Sequence, residues 1–152
     1  MVRVDRVARF VSYTKALLLP PMKGNNLAVM STFGGQAVIS ADVASQKGFN
    51  LPAIPESVLE AIGRYQRANV VKIANPMDLG DIFDSDAYQA AVEAVAPLPE
   101  VDGVVLVLPY APDSAYGTIT TKPMIHHIQD LSARLNKPVA FTFMSQPGIL
   151  RV

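Results

Sequence analysis

The chain contains no cysteine, so it can form no disulfide framework, thiolate nucleophile or cysteine-zinc site. An excess of either charge is also lacking. Thirteen basic side chains stand against thirteen acidic ones, which leaves no field to attract nucleic acid or an anionic membrane surface. No run of about 18 apolar residues occurs, and Met1-Val-Arg-Val-Asp-Arg6 puts charge where a signal peptide needs an apolar stretch. A soluble, cytoplasmic protein with neither a nucleic-acid nor a membrane partner is the expectation. No histidine and carboxylate cluster has the spacing of a metal site, and Asp81, Asp84 and Asp86 read as loop and helix-cap charge. What remains is 152 residues, half of them hydrophobic and 17% charged, enough for one domain that buries about 70% of its unfolded surface.

Apolar periodicity divides the chain into short alternating elements. Val4, Val7, Val11 and Leu18 share one helical stripe that Pro20-Pro21 ends, predicting an N-terminal linker helix within 1–22 that packs on a domain of 23–152. Leu27 to Ser31 is an apolar run of strand length. A helix follows it, carrying Ala37, Val38, Ala41 and Ala44, and Lys47-Gly48 closes it with a basic last turn and a C′ glycine. Phe49 to Ile54 and Val70 to Ile73 are further strand candidates on either side of a short helix opened by Pro55. Asp84 or Ser85 caps a helix with Ala87, Tyr88, Ala91, Val92 and Val95 inward. Val101 to Leu108 is the clearest buried strand. Thr121 or Lys122, with Pro123, starts a long helix with Met124, Ile128, Leu131 and Leu135 inward, and Val139 to Phe143 is the last strand. Strands alternating with helices predict a three-layer α/β fold: a flavodoxin-like, doubly wound open parallel sheet with helices on both faces.

The stretch Thr32-Phe-Gly-Gly-Gln36 joins the first strand to its helix. Glycines let backbone N–H groups approach a ligand, and a helix N-terminus carries partial positive charge, so this turn can face an anion. It lacks the lysine of a Walker A loop and the three-glycine spacing of a dinucleotide fingerprint. A plain strand-to-helix turn that binds nothing accounts for the same residues. His126-His127 falls inside a helix, with His126 pointing away from the apolar stripe and His127 at its margin, so both read as surface or boundary residues without a catalytic role.

Taken in order, the glycine-pair turn, Gly48-Phe-Asn-Leu-Pro52, Asn75-Pro-Met-Asp-Leu-Gly80 and Val101-Asp-Gly-Val-Val-Leu-Val-Leu108 resemble the NDP-forming acyl-CoA synthetases of the succinyl-CoA synthetase superfamily. The resemblance is closest to their second flavodoxin-like domain and covers residues 2 to 145. It implies a piece of a larger enzyme in which acyl-CoA, phosphate and nucleotide are coupled through a phosphohistidine carried by a neighbouring domain. No loop of this chain matches the one that bears that histidine, so no catalytic residue is assigned here and the domain alone is expected to be inactive. The implied partners are the CoA-binding, phosphohistidine and ATP-grasp domains of the same enzyme, with a homo-oligomer also open. CoA, phosphate and Mg-ATP or Mg-ADP belong to the whole enzyme, and none of them to this domain by itself.

The resemblance makes Thr32, Gly34, Gly35 and Gln36 the phosphate-facing residues. It also makes Asn75, Pro76 and Asp78 a signature beside them, since Asn75-Pro-Met-Asp78 matches the family's Asn-Pro-x-Asp pattern. An Asx-type turn, with Asp78 bonding nearby backbone, explains the same residue types. One departure stands out. Where β-type chains of the family carry a second glycine pair, this chain reads Leu108-Pro-Tyr-Ala-Pro-Asp113, whose two prolines have no N–H to donate. Two other readings stay open: a non-catalytic regulatory or assembly module of the same family, and a stand-alone flavodoxin-like domain that binds a small anion or nucleotide.

Overall fold

Leu27–Ser31 is buried at all five positions, and the other elements are arranged around this strand. The computed structural model describes residues 4, 6–68, 70–82, 84–109 and 121–144. In chain order the elements are α1 (Val7–Leu17), β1 (Leu27–Ser31), α2 (Gly34–Gln46), α3 (Glu56–Gly63), β2 (Met77–Asp78), α4 (Ser85–Val95), β3 (Gly103–Pro109), α5 (Thr121–Leu135) and β4 (Val139–Met144). The strands form one sheet in the order β2-β1-β3-β4, and every pairing is parallel. The chain leaves β1 toward one edge to make β2, then returns past β1 to make β3. The direction of winding therefore reverses at β1, as in a doubly wound sheet.

Alternate residues of the strands feed two cores. Ala28 and Met30 of β1, with Val104, Leu106 and Leu108 of β3, pack against Ile62 of α3, Val92 and Val95 of α4, and Met124 and Ile128 of α5. Leu27 and Val29 face the other way, onto Ala44 of α2 with Phe49, Leu51 and Val105 around them. Helices thus lie on both faces, as the alternation of elements predicts. The five inward positions expected on α4 are all buried, and its cap is Asp84, whose side chain accepts from Asp86 N. Gly48 ends α2 at φ 85°, while Gly48 N and Phe49 N donate to Ser45 O and Ala44 O at 3.0 Å each. Those two bonds make a complete Schellman motif.

Two expectations are corrected. Phe49 to Ile54 contributes only the single bridge between Asn26 and Asn50, because Pro52 interrupts it and Pro55 follows it, neither with an N–H to donate. Val70 to Ile73 is not a strand, and Val70 is 76% exposed. The outer edge of β1 is instead covered by the Asn75 side chain, which accepts from Val29 N and donates to Leu27 O at 3.0 Å each. Backbone pairing on that edge begins only at Met77, opposite Met30. In the N-terminal helix, Val7, Phe10, Val11, Leu17 and Leu18 stand 49–83% exposed.

Candidate functional site

β1 delivers Ser31 and Thr32 to the carboxyl edge of the sheet, where the winding reverses and ligands bind in open α/β sheets. Thr32 N donates to Val107 O at 3.2 Å and so prolongs the β1–β3 pairing by one residue. Ser31 Oγ accepts from Phe33 N at 3.1 Å, which turns the chain. Phe33 is the N-cap of α2, in an extended conformation and without a capping side-chain bond. Its carbonyl accepts from Gln36 N and Ala37 N, both at 3.0 Å. Gly34 and Gly35 keep the two earliest N–H groups of the helix, and neither has an acceptor among the described residues. Free N–H groups at a helix N-terminus attract negative charge.

Both glycines line a cavity of about 520 Å³, together with Thr32, Phe33, Asp78, Gly80 and Asp81. Its apolar wall is made by Val70, Val71, Ile82, Tyr88 and Pro109. Thr32 is 9% exposed, and its hydroxyl is buried with no hydrogen-bond partner. Buried hydroxyls are nearly always satisfied, and this one is an exception on a residue that lines the cavity.

Asp78 ends β2 and is held by an Asx turn, with Oδ1 accepting from Gly80 N at 2.8 Å. Its carboxylate lies against the start of α2. A β-carbon on Gly34 would come 3.0 Å from Asp78 Cγ and closer still to Oδ2, and one on Gly80 would come 2.9 Å from Oδ1. Both glycines are therefore needed so that the Asp78 carboxylate fits between them. Gly35 has nothing within 4 Å of the equivalent position and faces open space.

Of the residues singled out in the sequence, Thr32, Gly34, Gly35 and Asp78 come together in this cavity, while Gln36 lies outside its lining. Asn75, whose bond to Pro76 is cis, is spent on the fold: besides its two bonds to β1 it donates to Pro52 O at 3.0 Å. Missed from the sequence were Gly80, Ile82, Tyr88 and the pair Val70-Val71. The signal for Gly80 was its place two residues after an aspartate, the spacing of an Asx turn. Val70 and Val71 were hidden by being read as a strand. Pro109 closes the cavity without an N–H, and Tyr110 to Asp113 lie outside the described residues. His127 pairs with Glu93, joining α5 to α4, and neither histidine lines the cavity. Among the described residues there is no cluster of three metal-ligating side chains, and no helix is long and apolar enough to cross a membrane.

No family model matches the chain. It is 24% identical over 143 residues to the acetate–CoA ligase [ADP-forming] II subunit alpha of Pyrococcus furiosus, a match that covers 93% of this chain and 30% of that protein. Among solved structures it is similar to the apo dinucleotide-forming acetyl-coenzyme A synthetase 1 of Ca. Korarchaeum cryptofilum. That likeness has a TM-score of 0.76 and 25% identity, and covers 98% of this chain and 32% of that one. The same synthetase in complex with phosphate and ADP matches at TM-score 0.72 and 23% identity, over 98% and 32% of the two chains. The chain thus spans about a third of the length of the proteins it resembles. With the same sheet, and with sequence similarity running along nearly the whole chain, it fits the NDP-forming acyl-CoA synthetase superfamily as the homologue of one part of such an enzyme.

Proposed function

We propose that this chain acts as a domain of a cytoplasmic NDP-forming acyl-CoA synthetase and presents the start of α2 to the phosphoryl site of that enzyme. The reaction, an acyl-CoA with phosphate and NDP giving acid, CoA and NTP, runs through a phosphohistidine on another domain, with CoA and Mg-nucleotide held by further domains. Thr32, Gly34 and Gly35 supply donors and dipole to the phosphoryl group, and no acid-base group is asked of this chain. Phosphoryl transfer needs chiefly positioning and charge stabilisation, which fixed N–H and hydroxyl donors provide. The observation that carries the proposal is that Thr32, whose buried hydroxyl has no partner, lines one cavity with Gly34 and Gly35, whose N–H groups have no acceptor among the described residues. The Pro109 wall, which lacks a donor, favours a second reading in which the domain only helps assemble the enzyme.

The test is reconstitution with the CoA-binding and phosphohistidine domains, following association by calorimetry and phosphohistidine formation from acyl-CoA and phosphate. Removing one oxyanion donor typically costs about 10²-fold or more in rate, so Thr32→Val should associate normally and slow labelling at least tenfold. Association with labelling indifferent to Thr32 would make the assembly reading correct.

A further inference from the structure

The same cavity contains a feature that an anion site does not need, a carboxylate pressed against the helix N-terminus. Asp78 Oδ1 is occupied by Gly80 N, whereas Oδ2 lies beside Gly34 and has no donor among the described residues. Asp81, the other carboxylate of the lining, has Oδ2 accepting from Ala68 N at 2.9 Å. No lysine or arginine is among the described lining residues. A fully ionised oxyanion here would find two N–H groups and, once the Thr32 side chain turns toward the cavity, its hydroxyl, but it would also face Asp78 at close range in a partly desolvated cavity, where like charges repel strongly. An oxyanion that still carries a proton meets a different site. Its P–O–H donates to Asp78 Oδ2 while its other oxygens accept from Thr32 Oγ1 and the N–H groups of Gly34 and Gly35.

We infer that Asp78 makes this cavity selective for a protonated oxyanion, hydrogen phosphate, over an isosteric anion with no proton such as sulfate. The inference rests on the anion-site reading of the Thr32 cavity and adds to it a specificity-determining residue. At neutral pH inorganic phosphate keeps at least one proton and sulfate keeps none. A site built to accept a hydrogen bond from its ligand rejects the analogue that lacks the donor, because the buried acceptor is then left unpaired.

The measurement is binding of inorganic phosphate and of sulfate to the 152-residue chain by isothermal calorimetry, at pH 7 and matched ionic strength. The prediction is a preference for phosphate of at least about tenfold, in line with the loss of one charge-assisted hydrogen bond. Asp78→Asn keeps an Oδ1 acceptor for Gly80 N, so the turn survives, and it removes the charge. Sulfate binding should then strengthen until the two anions differ by less than about threefold, since the amide N–H can donate to either. Thr32→Val should weaken phosphate binding and so place it in this cavity. Equal binding of the two anions by the unmodified chain would overturn the selectivity while leaving the anion site standing, and so would a preference that survives Asp78→Asn. Binding of neither anion, to the unmodified chain or to Asp78→Asn, would remove the anion site and the selectivity together.

Discussion

Thr32 carries a hydroxyl that the fold buries and leaves without a partner, and such a group costs about 1–3 kcal/mol. Replacing it with the isosteric valine should therefore raise the stability of the isolated domain by about 1 kcal/mol in urea denaturation, the opposite sign to the effect proposed for it on phosphohistidine labelling. The two glycines beside it separate in the same way. Gly34→Ala drives a methyl group into the Asp78 carboxylate and should cost about 1–3 kcal/mol. Gly35→Ala meets open space and should stabilise by about 0.4–1 kcal/mol. Asn75→Ala removes three hydrogen bonds and leaves Val29 N and Leu27 O on β1 unpaired, a loss of about 2–4 kcal/mol. The glycine pair was visible in the sequence as a candidate anion turn, but the different duties of its two members were not. They depend on Asp78, more than 40 residues away, arriving against one glycine and not the other.

Elements whose signal is local were legible in the sequence. The Schellman end of α2, the Asp84 cap and the inward stripe of α4 all follow from residues within a turn or two of one another. Gly48→Ala forces a β-carbon into a left-handed conformation and should cost about 1 kcal/mol in the same denaturation assay, with α2 fraying first by hydrogen exchange. The elements misread were those decided by distant partners. Val70 to Ile73 has strand composition, but the edge of β1 that it would pair with is taken by the Asn75 side chain. The stripe on α1 has helical spacing, and the helix does form. Spacing alone does not say what covers a stripe, and here Leu17 and Leu18 stand more than 80% exposed.

At the scale of the whole molecule, the winding reversal at β1 brings three loops distant in sequence to one edge: the α2 turn, the loop after β2 and the end of β3. The sequence predicts which loops share that edge, because in a parallel sheet they follow the carboxyl ends of the strands. It could not give the strand order, which places Asp78 beside Gly34. We propose that this edge faces the phosphoryl site of a larger acyl-CoA synthetase, and hydrogen exchange read by mass spectrometry, with and without the phosphohistidine domain, should then show new protection in residues 32–36 and 78–82, with α5 unchanged. Protection confined to α1 or α5, with the Thr32 turn still exchanging as in the free domain, would contradict it.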